Sequence, residues 1–309
     1  MRARALFAFA IASSMTSSLH PALACSICGC DPSGGTLGLE RPSAGDLRVS
    51  LDARYLQKES GADTAAESEK EGRSLLRLQY SPVRRLSFAF ELPSYLWKNH
   101  YDNSGNMDEN ARGLSDIQLG ARYELLQLGG LIPAHTLAVS FAVKAPTGNN
   151  TFVAPVDIQP DQSVVYDEHK QLGTGTWDEL VGLWYTYGDF PWVAYAGAQA
   201  RINGTNSRGF HYGNALIGTV GVRRTFFLAL NLSIEAQARN AGKDSGPLIG
   251  GYDPDSGGFL AYATLGASYQ LTHSLVVRGT LQIPTFKSLN GTQSEHPVGF
   301  LGLAYDWTL

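Results

Sequence analysis

The chain has 309 residues, enough for one large domain or two ordinary ones, and only 17% of them are charged, below the roughly 25% usual in soluble domains. Its net charge of −4 provides no basic field for a nucleic acid. No apolar run reaches the roughly 18 residues that a membrane-spanning helix needs, so passage through a membrane would have to be made by strands.

The first residues read as a secretory signal. Arg2 and Arg4 form its charged region, residues 6–12 its apolar core, and Ala22-Leu23-Ala24 a small-x-small cleavage site before Cys25. The expected organisation is a signal peptide at 1–24, a cysteine-containing periplasmic segment at 25–45, and a barrel over 46–309. All three cysteines fall in Cys25-Ser26-Ile27-Cys28-Gly29-Cys30. This C-x2-C-x-C spacing can gather two or three thiolates on one soft metal ion, Cu(I) or Zn, with Asp31 or the free N-terminus as a further ligand. A Cys25–Cys28 disulfide leaving Cys30 over is the redox alternative. Acylation of Cys25 is a third, although Ala22 stands where lipoprotein signals place Leu. No His follows Cys28, which excludes a haem-attachment motif.

From Leu47 onwards the chain alternates. Leu47, Val49, Leu51, Ala53 and Tyr55 share one face, and Arg48, Ser50, Asp52 and Arg54 the other. Side chains alternate across a strand, so this is a strand with one apolar and one polar face. The pattern predicts further strands at 76–81, 86–92, 116–124 and 137–144, less cleanly at 180–187, 192–202 and 214–224, and sharply again at 228–239, 259–270, 275–283 and 300–309. In the last, Leu301, Leu303, Tyr305, Trp307 and Leu309 oppose Gly302, Ala304, Asp306 and Thr308.

Connections alternate between short (82–85, 188–191, 224–225, 272–274) and long (57–73, 98–112, 146–175, 203–212, 240–257, 285–297). Short turns at one end and long loops at the other, with polar-in, apolar-out strands, predict an all-β, up-and-down antiparallel transmembrane barrel of about twelve strands. An even strand number puts both termini on the short-turn side. A phrase recurs in the strands that run towards the short turns: Leu119-Gly120-Ala121-Arg122-Tyr123, Val181-Gly182-Leu183-Trp184-Tyr185, Leu265-Gly266-Ala267-Ser268-Tyr269 and Leu301-Gly302-Leu303-Ala304-Tyr305, with Val220-Gly221-Val222-Arg223-Arg224 as a broken copy. Its Gly faces inward and its Tyr outward, at the height where amphipathic rings meet the membrane interface. A soluble β-sandwich or lipocalin-like barrel would turn the apolar faces to a core instead. Charges of both signs in mid-strand count against that.

The predicted inward set contains Arg48, Asp52, Arg54, Arg77, Glu91, Asp116, Arg122, Glu124, Lys144, Arg201, Arg223, Glu235, Arg239 and Arg278. Such charges pair with one another and hold water, and they also set the selectivity of a pore.

Three phrases in order, Gly113-Leu114-Ser115-Asp116-Ile117-Gln118, then Lys144-Ala145-Pro146-Thr147-Gly148, then Leu172-Gly173-Thr174-Gly175-Thr176-Trp177-Asp178, resemble the outer-membrane proteins grouped with the meta-pathway phenol-degradation transporters. The resemblance spans 47–309. It implies an outer-membrane barrel admitting aromatic or other hydrophobic small molecules. Leu309 stands where such barrels usually end in Phe, and the cysteine cluster is not typical of the group.

The sequence therefore leads to a channel in the outer membrane of a Gram-negative cell. Its expected partners are the lipid bilayer, a small solute and the barrel-assembly machinery, and not a nucleic acid. A metal-handling or redox partner acting through the cysteines is the alternative. A lipid hydrolase built on His273-Ser274 is the weakest reading, because that pair lies in a predicted turn.

Overall fold

The computed structural model describes residues 42–61, 66–101, 105, 107–129, 133–152, 168–247 and 250–308. The expected signal peptide, Cys25, Cys28, Cys30 and Leu309 lie outside them.

Among the described residues twelve strands form the wall, in order: β1 Asp46–Ser60, β2 Glu67–Val83, β3 Leu86–Tyr101, β4 Met107–Leu114 continued as Gln118–Leu128, β5 His135–Lys144, β6 Asp178–Asp189, β7 Trp192–Ile202, β8 Ala215–Phe226, β9 Leu230–Ala241, β10 Gly258–Gln270, β11 Leu275–Leu289, and β12 Ser294–Glu295 continued as Val298–Thr308. Every neighbouring pair is antiparallel, and β1 pairs with both β2 and β12, from Asp46↔Thr308 to Tyr55↔Gly299, so the sheet closes on itself. Closure gives each backbone N–H and C=O at the level of the wall a partner, the condition for crossing a hydrocarbon layer that contains no water.

The wall is inverted relative to a soluble barrel. Leu301 is 71% exposed on the outside while Arg77 is 2% exposed on the inside. Leu51, Leu119, Phe141, Leu183, Val220, Ile234 and Leu265 continue the exposed apolar belt around the cylinder. Tyr123, Tyr185, Tyr269 and Tyr305 of the repeated phrase point outward near the short turns, with Trp192 and Trp307 beside them, as an aromatic girdle does. The long connections gather at the opposite end. The fold is that of an outer-membrane β-barrel.

The structure departs from the periodicity in two ways. Residues 57–60, 67–73, 98–101, 107–112 and 285–289, expected in loops, continue strands β1 to β4 and β11. Beyond the lipid both faces turn polar, so the alternation that marks a membrane strand disappears although the hydrogen-bonded ladder goes on. The turn expected at Arg224–Thr225 lies at 227–229 instead, where Phe227 and Leu228 take positive φ of 51° and 63°. Pairing continues to Thr225↔Asn231 and Phe226↔Leu230. Arg224 stays in the strand, on the outer face, with its guanidinium over the rings of Trp192 (4.9 Å) and Phe226 (4.7 Å).

The inward glycines of the phrase have a steric reason. At Gly302 on β12, the residue between Arg278 on β11 and Asp52 on β1 in register, a Cβ would sit 1.9 Å from Asp52 Oδ1. With no side chain in between, Arg278 reaches across the strand to Asp52 through Nε–Oδ1 (2.9 Å) and Nη2–Oδ2 (2.6 Å) contacts. Gly197 and Gly221 are roofed in the same way by the rings of Trp184 and Tyr195. Gly302→Val should therefore lower folding stability in detergent by roughly 1–3 kcal/mol, the usual range for overpacking. Gly299→Ala, with open space at its Cβ, should be neutral. Denaturant titration read by gel mobility of the unboiled protein measures both.

Candidate functional site

The barrel interior is a band of alternating charges. Asp52 accepts from Arg278, and Arg77 lies 3.8 Å from Asp52 and 2.7 Å from Glu91. Gln118 donates to the other oxygen of Glu91 (3.3 Å). The chain of contacts thus runs over β11, β1, β2, β3 and β4. Below it Arg48 forms a two-point pair with Asp306 (2.7 and 2.9 Å). Above it Arg54 pairs with Glu71. Arg122 stands 3.9 Å from Glu124, and Arg239 donates to Glu295 (2.8 Å). Glu235 accepts from the Tyr195 hydroxyl (3.0 Å). Arg223 alone of the predicted inward set has no polar side-chain partner among the described residues, and its Nε is buried without one.

The three phrases that carried the family resemblance meet in space. β4 is interrupted at 115–117, and the chain on either side of the long β5–β6 connection docks there. Asp116 is the hub: it accepts from the Gly148 N–H (2.9 Å), the Thr174 N–H (2.8 Å) and the Thr174 hydroxyl (2.9 Å), and pairs with Lys144 (3.1 Å). Lys144 also contacts Asp178 (2.6 Å), and Arg201 closes on Asp178 from β7 (3.0 Å). The Ser115 hydroxyl donates to the Leu172 carbonyl (2.6 Å), and the Thr147 hydroxyl accepts from the Ile117 N–H (2.9 Å). Gly148 and Gly173 lie back to back, so close that a Cβ on Gly173 would stand 2.5 Å from the Gly148 carbonyl oxygen. The motif glycines are there so that two backbones can touch beside a buried carboxylate.

This knot holds the end of the β5–β6 connection inside the upper lumen. Lys98 donates to the carbonyls of His169 and Gln171. Glu168 receives Arg208, and the Asn206 amide (2.9 Å). The Tyr212 hydroxyl donates to the Glu168 carbonyl (2.9 Å). The His169 ring is buried edge-on to Phe210 (5.3 Å) and Tyr212 (5.8 Å), with Asp244 and Asp253 each 3.7 Å away. Described parts of three long connections thus lock together over the upper lumen. On the far wall Glu295, beyond the lipid-crossing stretch, meets Arg239 and the Tyr262 hydroxyl. Burial alone would raise its carboxyl, but Arg239 and the hydroxyl outweigh burial and hold it below the usual carboxylate range.

Two cavities lie along the lumen among the described residues. The upper one, about 110 Å³, lies under the locked loops and is bordered by Lys98, Lys144, His169 and Glu295. The lower one, about 200 Å³, is bordered by Arg77, Tyr195, Arg223, Glu235 and Arg278. Arg54, Arg73 and Leu75 border both. Lys58, Glu69, Glu71, Arg73 and Lys98 lie outside the predicted inward set because they belong to the polar strand extensions. Asp178 and Glu295 fall at strand edges. A two-residue spacing continued past the last apolar residue would have found Lys58, which follows Asp52 and Arg54 on the same face.

The wall, the girdle and the charged interior define a membrane-spanning barrel of the outer-membrane class. No family model and no curated protein matches the chain. Among solved structures it is similar to an outer membrane channel from Pseudomonas putida F1, with a TM-score of 0.68, 15% identity, and coverage of 87% of this chain and 97% of that one. That likeness establishes the fold. The translocator domain of the autotransporter NalP from Neisseria meningitidis (TM-score 0.47, 13% identity, 86% and 90% coverage) and a deletion mutant of the TodX monoaromatic hydrocarbon channel (0.44, 10%, 87% and 91%) are looser likenesses.

Removing the hub should free the connection. Asp116→Ala leaves Lys144 short of one carboxylate and strips three donors of their acceptor. A local loss of about 3–5 kcal/mol is expected, the range for breaking a buried pair. Limited proteolysis should then cut within 145–152 or 168–177 where the wild type resists. An unchanged digestion pattern would show that the knot does not hold the loop.

Proposed function

We propose that the protein is a channel of the outer membrane that passes small solutes, including aromatic or otherwise hydrophobic ones. The observation that carries this reading is the pair of cavities meeting at Arg54, Arg73 and Leu75 inside a charged lumen whose outer wall is apolar. A barrel kept only as an anchor has no need of room along its axis, and a polar bore is what a dissolved solute crosses. The fourteen inward charges named from the sequence are, on this reading, the lining of that bore. The lower cavity also carries Leu75, Val193 and Phe300, which suit a solute with an apolar part. The P. putida structure similar in fold is itself an outer membrane channel, which agrees with the proposal.

The loops locked over the upper lumen suggest a narrow pathway. Purified protein in planar bilayers should give small, stable unit currents, well below those of an open porin. Liposomes containing it should swell in single-ring compounds faster than in disaccharides. Absence of both current and solute uptake from correctly folded protein would refute the channel.

A further inference from the structure

The lower cavity is electrically unbalanced. Its lining carries five guanidiniums against two carboxylates. Three of the five are accounted for: Arg54 by Glu71, Arg77 by Glu91, and Arg278 by Asp52. Of the two carboxylates, Asp52 is used by Arg278, and Glu235 is held by Tyr195. Arg73 and Arg223 remain. Neither has a carboxylate partner among the described residues, and the Nε of each is buried without a hydrogen-bond acceptor. Arg73 has only the ring of Tyr95, 5.4 Å from its guanidinium carbon.

Their placement is not scattered. One hydrogen-bonded row crosses the wall from Arg223 on β8, through Ser233, Thr280 and Phe300, to Arg54 on β1 and Arg73 on β2, and all of these border the lower cavity. β2 and β8 stand six strands apart in a ring of twelve, so the two unpaired cations face each other from opposite walls. Strands in such barrels tilt by roughly 35–45°, so a row at right angles to them climbs as it goes round. Arg223 is therefore the lower station and Arg73 the upper one, beside the boundary with the second cavity. Leu75, Val193 and Phe300 border the same cavity.

A guanidinium that lines a cavity and faces no carboxylate is an unfilled binding group. Its planar fork matches a carboxylate, and the resulting contact is among the stronger hydrogen-bonded pairs. We infer that the lower cavity binds a small organic anion, a carboxylate carried on an apolar single-ring body, with Arg223 and Arg73 as successive stations for the charge and Leu75, Val193 and Phe300 facing the ring. This names the solute class for the channel proposed above and rests on that reading.

The test uses the folded chain in detergent and three probes of one shape: benzoate, benzyl alcohol and benzylammonium, titrated by calorimetry. Benzoate should bind at least tenfold more tightly than the alcohol, and benzylammonium should give no heat. Arg73→Gln with Arg223→Gln should weaken benzoate roughly tenfold or more, the loss of a hydrogen bond to a charged group. Arg224→Gln, which changes the neighbouring arginine on the outer face, should leave affinity unaltered. The comparison of the three probes on the wild type needs no variant, so a poorly folding double substitution does not blunt it. Equal affinities for the probes, no benzoate binding, or benzoate binding indifferent to both substitutions in folded protein would each overturn the assignment. The two readings separate cleanly. Current without benzoate preference sinks the anion site alone, whereas benzoate binding without current or uptake sinks the channel alone.

Discussion

Hydrocarbon offers a backbone nothing to bond to, and that one constraint organises the whole molecule. It requires every strand in the wall to have two neighbours, which β1 supplies by pairing with β12 as well as β2. It also turns the side chains inside out, so that Leu301 and Ile234 are exposed to lipid while Arg77 and Arg239 are enclosed. Once the polar residues are confined to a cylinder, their mutual spacing becomes a structural problem of its own.

The chain solves that problem with small residues placed between large ones. Gly302 permits an ion pair to form across an intervening strand, between β11 and β1. Gly148 and Gly173 let a loop lie against the lumen wall beside Asp116. In both cases an absent side chain brings opposite charges or donors within reach, and the carboxylate is satisfied without water. The same economy is missing at Arg73 and Arg223, where the arginines are present and the acceptors are not. The departure stands out because the other three arginines of the lower cavity each face a carboxylate.

Much of this could be read from the residues alone. The face-by-face alternation from Leu47 to Thr308 carries the number of strands, the closed architecture and the side on which each charge lies, since a period of two leaves no freedom once one face must meet lipid. Arg278, Asp52 and Arg77 were legible as inward residues, although their being one connected chain of contacts was not, because cross-strand register depends on the turns. Periodicity failed where lipid stops imposing it: Lys58, Glu69 and Glu71 sit on strands whose two faces are both polar. It failed again at Phe227 and Leu228, an apolar pair that reads as the start of a strand and forms a turn. The phrases at Gly113, Lys144 and Leu172 were recognisable as sequence. That they converge on one buried carboxylate is a tertiary fact, linking positions up to 58 residues apart.

A nitroxide scan along β9 in a bilayer measures the inverted wall directly. Labels at 232, 234 and 236 should relax fastest with dissolved oxygen, which concentrates in lipid. Labels at 233, 235 and 237 should respond to a water-soluble nickel chelate. Loss of that two-residue alternation, or its reversal, would contradict the lipid-facing belt and every conclusion drawn from it.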